Sequence, residues 1–332
     1  MQDNTVRNQP KNRTDRDWKM RPKTIEEVYR EYCARGRGDR AYTTIRKQDS
    51  LWKNHICARF GRCAVDGGSA AEAVDYLTEL YYTDHYSYRY VESFLKFCLN
   101  KGTKIHMPKR KTDEVLSIVT FSGEELAVLD GYFHGTNGET AYLLGKYCGL
   151  RINECYGLKW SNVDLKSGTI EIDRQMQYQN GLIRLVSLKT GSAKRTVYMN
   201  GKLQAYLSQQ AELRKKYEKE YAALRLQNQR IIEDLDGSRI SSTELVNCLP
   251  DGKIQTVNSM KYPTREIRSR YGITFKYHYL RHTYGTLMAE MNTPAHLLCN
   301  QMGHGNIQVT QRYYIAVSKT GIDRLRENLN RL

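Results

Sequence analysis

The chain has 332 residues, 40% of them hydrophobic and 27% charged, with 52 Lys and Arg against 36 Asp and Glu for a net charge of +16. That is enough apolar material for one large or two medium folded domains. No run approaches the roughly 18 apolar residues of a membrane span, and the eight cysteines form no Cys-x-x-Cys pair, which speaks against a disulfide framework or a four-cysteine zinc site. The polar N-terminus has no signal-like apolar stretch, so a reducing cytoplasm, in association with the nucleoid, is the expected location. The excess charge is spread out, +7 over residues 1–116 and +9 over 117–332, as suits a protein that grips one polyanion from two sides.

Residues 1–23 are polar and basic and read as a flexible arm. Thr24 and Glu27 form a capping box, with Ile25, Val28, Tyr29 and Tyr32 following at helical spacing. Further helices are predicted over 43–60, 69–82 and 86–100, separated by Gly36-Arg37-Gly38 and Gly67-Gly68. Residues 24–100 therefore read as a small all-helical domain. Residues 101–117 form a basic linker in which Lys104, Lys109, Arg110 and Lys111 are candidate DNA contacts.

A second capping box, Ser122 with Glu125, opens a larger domain over 118–315. Helices are predicted over 123–131 and 139–148, the latter stopped by Gly149, and a short one after Arg151. Strands follow over 169–178, 182–188 and 195–199, with Asn180-Gly181 as a hairpin turn and Lys189 in the next turn. Residues 202–235 read as one long charged helix, within a helical insertion over 202–260. Thr293-Pro294 is a helix start, with Thr293 as the cap, and residues 316–332 read as a tail helix. The fold class expected is mainly α with a small antiparallel sheet, in two domains.

Several residues carry chemistry. Arg151 follows Gly149-Leu150 at a helix start, a place that favours anions, and Glu154 stands three residues on. His278 and Arg281 are three apart, so on a helix they share a face and can meet one anion. His278 and His282 also have the i, i+4 spacing of a zinc-peptidase helix, but Tyr279 stands where the general base would be, and Arg281 would sit beside the metal. Lys189 is placed to bring a proton donor to a leaving group. Tyr313 and Tyr314, nine and ten residues after His304, offer hydroxyl nucleophiles.

Taken in order, Leu150-Arg151-Ile152-Asn153-Glu154, Lys189-Thr190, His278-x-x-Arg281-His282-Thr283, Gly303-His304 and Tyr313 resemble the signature of the tyrosine recombinase (phage integrase) family. The resemblance implies a two-domain DNA clamp: a helical core-binding domain and a mixed α/β catalytic domain. It implies Tyr313 as the nucleophile that forms a 3′-phosphotyrosyl link. Arg151 and Arg281 would hold the phosphate oxygens, with His278 and His304 adding hydrogen bonds. Lys189 would protonate the leaving 5′ oxygen, and Glu154 would support the site. No cofactor or metal is implied. The implied partners are double-stranded DNA at core recombination sites, a homo-tetramer at synapsis with the tail docked on a neighbouring protomer, and a directionality factor. The expected function is integration and excision of a mobile element. The alternatives weighed are a type IB topoisomerase and a non-catalytic DNA-binding regulator on the same fold.

Overall fold

A computed structural model describes residues 23–35, 37–38, 40–65, 68–98, 118–188, 191–316 and 329–330. The N-terminal arm, the four basic linker candidates Lys104, Lys109, Arg110 and Lys111, the turn residue Lys189 and nearly all of the tail lie outside the described residues. The chain divides into two compact units, Met1–Thr112 and Asp113–Leu332.

The described part of the first unit is helical. Helix α1 (Ile25–Arg35) begins at the predicted box: the Glu27 amide donates to Thr24 Oγ1 at 3.2 Å and the Thr24 amide to Glu27 Oε2 at 2.9 Å. Two orphan N–H groups are thereby satisfied. The single helix predicted over 43–60 is instead three pieces. Helix α2 (Tyr42–Leu51) passes through a π-helical turn at Trp52–Ile56 into α3 (Cys57–Phe60). Trp52, the first residue of that turn, stacks on Tyr29 with centroids 4.0 Å apart. Helices α4 (Gly68–Thr83) and α5 (His85–Cys98) complete the unit around fully buried Ile25, Phe60, Leu77, Val91 and Leu95.

The second unit opens on the Ser122 capping box and α6 (Gly123–Phe133). Helix α7 (Glu139–Cys148) stops at Gly149, whose φ of 61° only glycine adopts without cost. The five-residue α8 (Ile152–Tyr156) follows at once. Leu129, Phe133, Tyr142, Leu144 and Leu150 are buried in one core with Phe275 and Leu280 from later in the chain.

The strands depart from expectation. The single strand predicted over 169–178 is split at Asp173, which takes Arg174 Nε and Nη2 at 2.8 and 2.7 Å. The chain there changes sheets. Strands β1 (Val163–Asp164), β2 (Thr169–Ile172) and β5 (Arg195–Tyr198) form one antiparallel sheet. Strands β3 (Arg174–Gln179) and β4 (Leu182–Ser187) pair through a hairpin whose Asn180 and Gly181 both have positive φ, 48° and 84°, as a type I′ turn requires.

The insertion is only half helical. Helix α9 (Gly201–Glu220) breaks at Tyr221 and resumes as α10 (Ala222–Asn228). Strands β6 (Ile231–Glu233) and β7 (Arg239–Ser241) then add to the β3–β4 hairpin, with β6 parallel to β4. The sheet is thus mixed rather than purely antiparallel. Strands this short carry too little alternation to register beside a long run of Lys, Glu and Gln. Asp234, only 5% exposed, anchors the added hairpin by accepting from Lys159 Nζ at 2.8 Å and from Arg174 Nη1 at 2.5 Å.

Helices α11 (Lys261–Tyr271), α12 (Tyr277–Glu290), α13 (Ala295–Met302) and α14 (Ile307–Ala316) close the unit. Pro294, rather than Thr293, occupies the cap position of α13. Among the described residues no helix is long and apolar enough to cross a membrane.

Replacing Asp234 strands the largely buried Lys159 and leaves Arg174 with Asp173 alone. Asp234→Ala is expected to lower the unfolding free energy by about 3 kcal/mol, the usual cost of breaking a buried pair from one side. Urea titration reads this directly, and a loss within about 0.5 kcal/mol, as for an ordinary surface change, would show that the hairpin is held by something else.

Candidate active site

Two helices end where the site begins. Helices α7 and α13 both terminate in a left-handed glycine, Gly149 at φ 61° and Gly303 at φ 64°. The last carbonyls of a helix have no partner within it and carry the negative end of its dipole. Guanidinium groups take them up here. Arg281 Nη1 donates to the Gly149 carbonyl at 2.7 Å and Nη2 to the Met302 carbonyl at 2.5 Å. Arg151 Nη2 donates to the Gly303 carbonyl at 3.1 Å. Neither glycine tolerates a side chain: a Cβ on Gly149 would stand 2.7 Å from the Tyr284 ring, and one on Gly303 would stand 2.9 Å from the Arg195 side chain.

Arg281 is 1% exposed, the largest fully buried side chain described, and its bonds go to main-chain carbonyls rather than to a carboxylate. Burial, with Arg151 nearby, pulls its pKa down to about 9. It remains a cation at neutral pH, but one short of counter-charge, and an anion brought beside it would relieve that deficit.

Glu154 is the acid at the centre. Only 2% exposed, it receives Arg151 Nη1 at 2.7 Å, the Arg151 amide at 3.1 Å and Arg195 Nη2 at 2.8 Å. These donors outweigh burial and hold its carboxyl below the usual range. Two guanidiniums thus bond one carboxylate, and Arg281 is the third member of the cluster. Arg151, with its side chain 37% exposed, is the most accessible of the three.

Arg195, the first residue of the strand predicted over 195–199, joins the site without having been among the candidates. Its side chain is 5% exposed. Nε donates to the Gln301 carbonyl and Nη1 to the Ala193 carbonyl, both at 2.9 Å, so it ties the turn after β4 to the end of α13. The signal was available: Arg195 alternates with fully buried Val197, which puts a charge on the inward side of a strand.

The remaining candidates line up beside these cations. His278 and His282 lie one turn apart on α12, ring centroids 4.5 Å apart. His304 follows Gly303, and its Nδ1 lies 2.8 Å from the buried Thr310 hydroxyl. Burial and the cations Arg281, Arg151 and Arg195 push His304 down to about 3. Burial, His282 and the same two leading arginines push His278 to about 4, although its ring keeps a solvent-open side that softens the effect. Both imidazoles are therefore neutral at pH 7.

Tyr313 is 4% exposed, stacked parallel to His304 at 6.2 Å and edge-on to His282 at 6.2 Å. It fits because Gly285 on α12 leaves room: a Cβ there would stand 3.0 Å from the phenol ring. Burial raises the Tyr313 pKa, while Arg281 and Arg151 oppose the rise. Tyr314 points elsewhere and donates its hydroxyl to the Thr293 carbonyl. The structure thus brings Arg151, Glu154, His278, Arg281, His304 and Tyr313 together. Strand β4 ends at Ser187 and a 3-10 turn occupies Gly191–Ala193, either side of Lys189.

Residues 113–320 match the pattern of the phage integrase family. A XerC-like tyrosine recombinase of Caldanaerobacter subterraneus subsp. tengcongensis is 26% identical over 243 residues, covering 70% of this chain and 59% of that protein. The chain therefore spans about three-fifths of that relative's length. The Tn1549 transposon integrase in complex with transposon right end DNA has the same fold, with a TM-score of 0.70 at 18% identity over 92% of this chain and 100% of that one. A lambda integrase dimer bound to a COC′ core site gives 0.58 at 14% identity, over 87% and 94%.

The histidine shifts carry a sign. Their folded pKa values lie below the unfolded value of 6.5. The unfolded chain therefore binds more protons below that pH, and stability is fully present above it and is lost as pH falls towards the folded values. Urea unfolding at pH 7.5 and 5.0 is expected to show lower stability at the lower pH. His304→Gln is expected to shrink that difference, and an unchanged difference would mean that His304 is not held neutral by the fold.

Proposed function

The chain belongs to the phage integrase family, and on that footing we propose that it is a site-specific DNA recombinase that integrates and excises a mobile element. The observation that carries the reading is a buried arginine, Arg281, bonded among the described residues only to helix-end carbonyls, beside a buried tyrosine whose ring is stacked on His304. Such a site is short of one anion and supplied with one nucleophile.

In the proposed reaction the scissile phosphodiester lies against Arg151 and Arg281, which stabilise the charge that grows on its non-bridging oxygens. Tyr313 Oη attacks phosphorus and the bond to the 5′ oxygen breaks. The phenolic proton passes to His278, and Lys189 protonates the departing 5′ oxygen. His304 donates a further hydrogen bond to the phosphate. The negative phosphate offsets the cations that hold the imidazoles down, so His278 becomes a stronger base once DNA is seated. Glu154 and Arg195 keep Arg151 in place. Attack by a second 5′ hydroxyl reverses the step. The phosphotyrosyl bond conserves the energy of the phosphodiester, so rejoining draws on no nucleoside triphosphate.

The partners proposed are double-stranded DNA, touched also by Lys104, Lys109, Arg110 and Lys111, a homo-tetramer at synapsis, and a directionality factor. An apolar groove lined by Leu287, Met291, Leu297 and Tyr198, all more than 40% exposed, supports the oligomer. The proposed occupant is the tail, residues 316–332, of a neighbouring protomer. The working compartment proposed is the cytoplasm, on the nucleoid.

A duplex carrying the DNA that flanks the gene, nicked so that the cleaved end diffuses away, is expected to trap the wild-type chain as an SDS-resistant adduct. Tyr313→Phe is expected to form none and Tyr314→Phe to form it normally. Arg281→Ala is expected to slow it by about a hundredfold or more, the scale for losing one oxyanion donor. An adduct with Tyr313→Phe overturns the assignment. Relaxation of plasmid without any recombinant product would favour the topoisomerase alternative.

A further inference from the structure

A second polar cavity, of about 330 Å³, lies between the start of α7, helices α9 and α10, and the segment after β7. Its wall holds an unpaired cation. Arg225 is 8% exposed, and its one hydrogen bond among the described residues runs from Nη1 to the Pro250 carbonyl at 3.0 Å, with no carboxylate in reach. A guanidinium this deep without an acid is costly unless an anion completes it. Arg214 lines the same cavity, paired with Glu218 at 3.2 Å on the outer flank of α9. Both arginines thus line one cavity, together with Cys248.

Asn247, 2% exposed on the cavity lining, turns its amide into the protein, its Nδ2 donating to the Cys155 carbonyl at 3.0 Å and its Oδ1 shut off from the cavity. Trp160, Tyr206 and Tyr217 supply flat apolar walls. Glu139, an acid on the rim, is already engaged by the Gly135 amide at 3.0 Å and His134 Nδ1 at 3.1 Å.

We propose that this cavity binds a nucleoside monophosphate, its phosphate on Arg225 and Arg214 and its base against the aromatic walls of Trp160, Tyr206 and Tyr217. The volume is at the low end of the range for ligand sites, about 300–1,000 Å³, and so takes one nucleotide rather than two. The site is separate from the one holding Arg151 and Arg281, and the proposal stands or falls independently of the recombinase reading.

Calorimetric titration of the full chain with AMP, CMP, adenosine and inorganic phosphate tests it. Saturable one-to-one binding of AMP or CMP is expected, with adenosine and inorganic phosphate each at least tenfold weaker. Arg225→Gln is expected to weaken nucleotide binding at least tenfold. Because that residue is buried, Arg214→Glu, on a helix flank, serves as the variant that keeps the fold, checked by circular dichroism, and is expected to weaken binding to a similar degree. Arg151→Ala is expected to leave it unchanged. Failure of both nucleotides to bind the wild-type chain overturns the proposal. So does binding that survives Arg214→Glu, or binding that is lost in Arg151→Ala, which would place the nucleotide in the other site.

Discussion

Two guanidiniums, Arg151 and Arg195, share one buried carboxylate while a third, Arg281, rests on main-chain carbonyls, and the second unit is arranged to make that tolerable. Glu154 neutralises one charge. The remainder is spread over the carbonyl ends of α7 and α13, whose left-handed glycines turn those carbonyls towards Arg281 and Arg151. A buried cation held by dipoles alone is under-compensated. An anion seated beside Arg281 would relieve that deficit.

The same constraint explains the neighbours. Burial and the neighbouring arginines hold both imidazoles neutral, which leaves His278 and His304 able to accept or donate a proton at pH 7. Tyr313 is buried, which disfavours its phenolate, while Arg281 and Arg151 favour it. Arg195 makes the arrangement one body, since it bonds Glu154, the end of α13 and the turn that follows Lys189. A rigid set of donors costs little reorganisation when charge develops in front of it.

Much of this was legible in the sequence, for identifiable reasons. The capping boxes at Thr24 and Ser122 and the hairpin glycine at Gly181 act locally, so they read directly. Arg151, His278, Arg281, His304 and Tyr313 could be named because their order and spacing resemble a known family. What did not read were features set by distant partners. Asp173 ends β2 because the chain crosses to a second sheet, and β6 is a strand because β4 offers it an edge. Arg195 carries no local mark of its role because its carboxylate lies 41 positions back in the chain. The π-turn at Trp52 follows from packing on Tyr29, which periodicity does not encode.

In the proposed reaction the Tyr313 hydroxyl meets a phosphate held by Arg151 and Arg281. Mass spectrometry of the trapped adduct, after nuclease and protease digestion, reads out that encounter. The residual nucleotide is expected on Tyr313, linked through a 3′ phosphate. A nucleotide found on Tyr314, on another residue, or linked through a 5′ phosphate would contradict it.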